Sequence, residues 1–206
     1  MDTKARIIEE ALLQFNEKGL NRVGVRDIAR ALDISPGNMS YHFPKKEELV
    51  LQILLGFSAD NQRMFANYHA NKQGIEAFLE LIEGIFRNQF KYRGLLVDLV
   101  EINRLLSAAT DFDYSEFQKR RLSEFRTILV GLREVEDLKL DDEQLEQVVS
   151  HISLFGRFWI AEAFLDSSTK EEEILIHRYV KLLASHLNLF ATIHGKIAIG
   201  RFLENG

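Results

Sequence analysis

The chain has 206 residues, 46% of them hydrophobic, with a net charge of −5 and no cysteine, enough apolar content for a full core in one domain or in a small domain joined to a larger one. The lack of cysteine excludes a disulfide framework and a thiolate metal centre, so a reducing, cytoplasmic compartment is the expectation. No run reads as apolar and long enough to cross a bilayer, and the opening MDTKAR lacks the apolar region of a signal peptide, so no membrane partner is expected.

In chain order, Ile7, Ile8, Ala11, Leu12 and Phe15 share one face of a first helix, and Lys18-Gly19 is a helix-ending pair. Val25, Ile28, Ala29 and Leu32 repeat the i, i+3, i+4, i+7 spacing and predict a short second helix. A break follows at once. Asp33 and Ser35 offer capping side chains, and Pro36, which has no N–H to lose in a first turn, starts another short helix through Met39 to Phe43. Two short helices about a tight turn form a helix-turn-helix, whose second helix enters the major groove of DNA. The outward positions of that second helix are Gly37, Asn38, Ser40, Tyr41 and His42, small or hydrogen-bonding groups suited to base edges and phosphates. Met39 and Phe43 are expected to face inward onto Ile28 and Leu32.

Both prolines, Pro36 and Pro44, lie in the first 50 residues, so the remainder is free to form long helices. Leu49, Val50, Ile53, Leu54, Phe57, Met64 and Phe65 predict one helix over about 47–66, and the polar segment from His69 to Gly74 ends that pattern. A helix resumes with Ile75, Phe78, Leu79, Ile82, Phe86 and Phe90, and Arg93-Gly94 marks a joint. Leu95, Leu99, Ile102 and Leu106 share a face up to a loop over Ala108 to Asp111, and a further helix runs from Tyr114 to about Arg133. Asp141 or Asp142 caps a helix to Leu165, Asp166 to Thr169 form a turn, and Lys170 to about His194 form the last long helix. No strand-type alternation is sustained, so the fold class is all-α.

The last two helices are apolar on more than one side. Val148 and Ile152 on the first, and Leu175, Tyr179, Leu183, Leu187 and Phe190 on the second, predict burial on two sides: one can cover the chain's own domain and the other can pack on a twofold-related copy, the alternative being the core of a monomer.

The stretch from about Ala5 to Leu55 resembles the TetR family of bacterial transcriptional regulators. The likeness rests on Ala11, Phe15, Gly19, Asp27-Ile28-Ala29, Leu32, Ile34-Ser35, Gly37, the Tyr41-His42-Phe43 triplet and the run from Lys46 to Leu49. Gly24 departs from it where the family usually has a capping Thr, and Ser40 where an aromatic is common. The resemblance implies an N-terminal helix-turn-helix domain over 1–46 and a larger helical domain over 47–206 that binds a small apolar or amphipathic effector and forms the homodimer. The helix over 47–66 would couple the two. The partner is then a double-stranded, palindromic DNA operator, held by Arg26, Ser35, Pro36, Gly37, Asn38, Ser40, Tyr41, His42 and, through a phosphate, Lys46. The function implied is that of a repressor released by its effector.

Net charge is acidic, unlike that of most nucleic-acid binders. The acidity is unevenly spread: residues 1–50 hold eight Lys/Arg against eight Asp/Glu, so the whole deficit falls later. No nucleophile elbow, phosphate-binding loop or H-E-x-x-H pattern is present, and the six histidines include no i, i+4 pair. No cofactor or metal is therefore expected, and no enzyme activity. Gln89 and His151 fall on otherwise apolar faces and need partners if buried; with Phe155, Phe158 and Trp159 they are the candidate effector contacts, internal partners being favoured. The alternatives are a helical interaction protein without DNA binding, and a helical enzyme.

Overall fold

The computed structural model describes residues 2–71, 73–109, 113–165 and 171–205. Eleven helices cover most of them: α1 (Thr3–Lys18), α2 (Val25–Ala31), α3 (Pro36–His42), α4 (Lys46–Asn71), α5 (Ile75–Lys91), α6 (Arg93–Leu96), α7 (Leu99–Ala109), α8 (Tyr114–Glu134), α9 (Asp142–Leu165), α10 (Glu172–Leu187) and α11 (Ile193–Asn205). Among the described residues there is no strand, only a single isolated bridge between Leu138 and Ala191. The chain is all-α, as its periodicity predicts.

Contacts divide the chain into two compact units, Met1–Asp60 with Lys91–Asp113, and Asn61–Phe90 with Tyr114–Gly206. This differs from the sequence expectation of a boundary at residues 46 and 47. Helix α4 is longer than expected, 26 residues without interruption, and contributes its first part to one unit and its last part to the other. The physical reason is that α6 packs on α1 and carries α7 with it, a long-range pairing that local periodicity does not encode.

In the first unit Ile7, Ala11 and Phe15 of α1 are buried with Ile28, Met39, Phe43, Leu49, Val50 and Ile53. Helix α1 stops where Gly19 takes a φ of +82°, in the left-handed region where a side chain is strained. Asn16 then ties α1 to α6: its carbonyl accepts the Gly94 N–H at 2.8 Å and its amide donates to the Lys91 carbonyl at 2.9 Å. The stretch from Leu95 to Leu106, read as one helical face, is two helices; the carboxylate of Asp98 accepts the Glu101 N–H at 3.1 Å and starts α7.

In the second unit α5 buries Ile75, Phe78, Leu79, Ile82 and Phe86, while α9 and α10 bury Val148, Ile152, Trp159, Leu175, Tyr179, Leu183 and Leu187. The Asp141 carboxylate accepts the Gln144 N–H at 2.8 Å and its own backbone N–H donates to the Gln144 side-chain carbonyl at 3.0 Å, so Asp141 is the cap that starts α9. Helix α9 reaches the length and mean hydropathy, 1.3, of a membrane-spanning helix, as core helices also do. Val148, Ile152, Trp159 and Ala163 of α9 are buried, whereas Leu154, Phe158 and Leu165 are exposed. Asp137, buried, caps α5 by accepting the Ile75 N–H at 2.7 Å and pairs with His194 at 2.6 Å.

The last long helix is a correction. It ends at Leu187 and α11 begins at Ile193, because residues 190–192 bond to the segment before α9: Lys139 donates to the Phe190 carbonyl at 2.8 Å and Thr192 to the Asp137 carbonyl at 3.0 Å. The expected loop positions Thr110 and Asp111, and the expected turn Asp166 to Thr169 with Lys170, lie outside the described residues.

Candidate nucleic-acid interface

The helix-turn-helix is assembled by local chemistry. Gly24 has no side chain to cap α2, and the Asp27 carboxylate accepts the Gly24 N–H at 2.9 Å in its place. The turn is closed by Asp33 at φ +52° and by the Ile34 N–H donating to the Ala29 carbonyl at 3.1 Å. Ser35 then caps α3, its hydroxyl accepting the Asn38 N–H at 3.1 Å, and Pro36 occupies the first helical position.

That geometry turns two residues inward and the rest outward. Met39 and Phe43 are buried, while Pro36, Gly37, Asn38 and Ser40 are exposed, Tyr41 is 82% exposed and His42 is half-buried. The rings of Tyr41 and His42 meet edge-on at 5.2 Å. A tyrosine held so far into solvent is a large apolar area uncovered, and its ring and hydroxyl are available to a partner. Arg26 on α2 is also exposed, as are Lys4, Arg6, Arg22 and Lys45.

Lys46 is placed differently from the expectation of a phosphate contact. Its ammonium donates to the Leu20 carbonyl at 2.6 Å and lies 5.6 Å from the centre of the Phe15 ring. Burial pushes its pKa down, partly offset by Glu47 and Glu101. Its first partner is internal, fastening the start of α4 to the turn after α1. Lys4, which from sequence flanks the two short helices as a candidate backbone contact, lies 5.7 Å from the centre of the Phe43 ring.

Four of the five candidate effector residues, Gln89, His151, Phe155 and Trp159, lie together in the second unit, joined through Phe86 and Tyr179, while Phe158 stands apart from them on the exposed side of α9. Gln89 is buried with both ends paired, its amide donating to the Gly156 carbonyl at 2.6 Å and its carbonyl accepting from the Trp159 indole. Internal partners, favoured from sequence, are what Gln89 has. Trp159 is buried and stacks on Phe86 at 4.6 Å. Phe155 is half-buried among His151, Phe86 and Tyr179, and Phe158 is 44% exposed. His151 stacks on His186 of α10 at 3.8 Å between ring centres.

The candidate dimer residues require correction. Val148, Ile152, Leu175, Tyr179, Leu183 and Leu187 are at most 4% exposed in the single chain, and Phe190 is half-buried in the turn after α10. The first six face the chain's own core and have no surface left for a second copy, whereas Phe190 keeps part of its surface. The apolar side chains that α9 and α10 leave uncovered are Leu154, Phe158, Leu165, Ile174 and Leu182.

Comparison with known proteins bears on this arrangement. The family profile described as bacterial regulatory proteins of the tetR family matches residues 7–53, and a second, described as a bacterial transcriptional repressor, matches residues 57–194. The chain is 34% identical over 88 residues to the HTH-type transcriptional repressor KstR2 of Mycobacterium tuberculosis, covering 43% of this chain and 42% of that one. It is 30% identical over 101 residues to the HTH-type transcriptional regulator UidR of Escherichia coli, covering 48% and 50%. It thus spans about half the length of the curated relatives it matches. Its fold is similar to a TetR-family transcriptional regulator from Marinobacter aquaeolei, with a TM-score of 0.84 at 22% identity over 100% of this chain and 98% of that one. With both profiles matched and the fold shared from end to end, the chain belongs to the TetR family of bacterial transcriptional regulators.

Proposed function

We propose that the chain acts as a homodimeric, operator-binding transcriptional regulator, a repressor released from DNA by a small apolar or amphipathic effector. The observation that carries this reading is the outward face of α3, where Asn38, Ser40 and Tyr41 stand exposed on a helix fastened from behind by Met39 and Phe43. Ser35, Gly37 and Asn38 at the start of α3 suit close approach of phosphate or base, Tyr41 and His42 suit backbone or base edges, and Arg26 suits a phosphate. Lys46 supports the site from within, through Leu20 and Phe15.

Leu154 and Phe158 of α9 with Ile174 and Leu182 of α10 recur at helical spacing and form the face on which a second copy would pack. Two recognition helices related by a twofold axis must enter successive major grooves, roughly 34–36 Å or a multiple apart, so the operator is an approximate palindrome. Helix α4, unbroken from Lys46 to Asn71, is the element through which an effector would act. An effector acts only by binding the DNA-incompetent arrangement more tightly, and an affinity ratio of about 10⁴ moves a 1:99 population to 99:1.

The test is selection of bound sequences from a random duplex pool. Recovery of a palindrome with half-sites one helical turn or a multiple apart supports the reading. Binding with no sequence preference and no fall in affinity between low and moderate salt refutes it, since true phosphate contacts release counterions.

A further inference from the structure

Helices α8 and α9 run antiparallel, and a ladder of arginines records their register. Arg133 pairs with Asp142 at 2.8 Å, and Arg126 pairs with Glu146 further along. The next two arginines break the rule. Arg121 of α8 meets no carboxylate: its Nε donates to the Ser153 hydroxyl at 3.3 Å, and one of its terminal nitrogens is buried without a partner. Arg157 of α9, one turn beyond Ser153, has a guanidinium 5.4 Å from the centre of the Tyr114 ring and 5.7 Å from that of Phe158, and its Nε is buried without a partner. The Tyr114 hydroxyl is the third. Among the described residues these are the three buried side-chain polar atoms lacking any hydrogen bond, and all three lie at one end of one helix pair.

Chance placement of such a set is physically costly. A buried donor left unmatched costs more than its hydrogen bond would have contributed, and each of these guanidiniums keeps one such nitrogen while its side chain as a whole is half-buried. Two guanidiniums and a phenol all offer N–H or O–H, so the complementary group must be rich in acceptors and negatively charged. The ring of Tyr114 offsets part of the charge of Arg157 but cannot accept its Nε–H in the plane of the guanidinium. The planar fork of arginine matches an oxyanion with two or more oxygens. We infer that Tyr114, Arg121, Arg157 and Ser153 form a binding site for the oxyanion of a small organic ligand, a carboxylate or a phosphate monoester.

The inference deepens the regulatory reading by giving the effector a charged head, but its binding arm stands without DNA. The experiment uses the full chain labelled with ¹⁵N, so that the Nε–H signals of Arg121 and Arg157 are followed by NMR. Hexanoate and hexyl phosphate are titrated, with hexanol as the uncharged control. The expected result is a saturable shift of both signals with at least one oxyanion, distinguishing carboxylate from phosphate, and none with hexanol. Arg157→Gln and Arg121→Gln should each weaken binding about tenfold or more, since hydrogen bonds to charged groups are the strong ones. Arg126→Gln, whose arginine is already paired with Glu146, should leave it unchanged. Tyr114→Phe keeps the ring and removes only the hydroxyl, and a smaller loss there with normal melting shows that the variants report the site and not the fold. No saturable shift with either oxyanion, or equal binding by all variants, overturns the inference. Oxyanion binding intact in the wild type with operator affinity untouched leaves the site standing and refutes its role as the effector site.

Discussion

Replacing Gly94 with alanine tests the junction that ties α6 to the DNA-binding helices. A Cβ built on Gly94 would stand 2.2 Å from the carbonyl oxygen of Phe15, 2.3 Å from its carbon and 2.5 Å from the nitrogen of Asn16. Ordinary contact begins at 3.4 Å, so a separation of 1.2 Å is missing. The atoms met are backbone and cannot rotate aside. Either α6 moves off α1 or α1 bends, and both break the two Asn16 bonds, at 2.8 and 2.9 Å. Overpacking costs about 1–3 kcal/mol, and each lost hydrogen bond about 0.5–1.5 kcal/mol. Alanine returns about 1 kcal/mol of helix propensity. The net loss is about 1–5 kcal/mol, a fall of about 2–20 °C in Tm for a chain of this size. The assay is thermal melting followed by circular dichroism, with Gly131→Ala as control: Gly131 lies within α8 with nothing within 4 Å of its would-be Cβ, so that variant should melt at or slightly above the wild type. A Gly94→Ala protein melting with the wild type would refute the close-approach argument.

Lys46→Ala should lower stability by about 1 kcal/mol through loss of its bond to Leu20 and its place over Phe15, whereas Tyr41→Ala should weaken operator binding with melting unchanged; denaturant midpoints and binding isotherms on the same preparations separate the two. Leu182→Glu should convert dimer to monomer in light scattering because Leu182 is half-exposed, while Leu183→Ala, fully buried, should cost about 2–5 kcal/mol in folding; the reverse pattern would restore the sequence-based interface. Burial holds the His151 and His186 imidazoles below the ordinary 6.5, and each lies against the other. The unfolded chain therefore binds more protons just below pH 6.5, so stability rises with pH through that window and is lost as pH falls through it. Denaturant midpoints between pH 7.5 and 5 should show this, and His186→Leu should flatten the slope; an unchanged slope removes the pair as its source.

How much of this was legible beforehand depended on range. The helix-turn-helix was readable because each of its determinants acts within a few residues: the apolar spacing of α1 and α2, the Ser35 cap, Pro36 at a first helical position and the alternation of Met39 and Phe43 with Asn38, Ser40 and Tyr41. The Asp141–Gln144 cap of α9 was readable for the same reason. Where partners lie far apart in sequence, the reading failed. No proline or glycine marks residues 188–192, and the helix ends there because Asp137 and Lys139 take its backbone partners; Gly195, whose Cβ would stand 2.1 Å from the Asp137 carbonyl oxygen, permits that approach.

The amino-acid order alone thus determined the helical class, the reader motif and the presence of two helices too apolar to be covered on one side. Only tertiary packing decided which of their faces is core and which is surface: it buried Leu183, expected at the interface, and left Leu182 half-exposed. It also decided that Lys46 turns inward and that Arg121 and Arg157 stand together without a carboxylate. Periodicity specifies that a side chain lies on a given stripe of a helix, but the neighbour that stripe meets is set by contacts between residues dozens of positions apart.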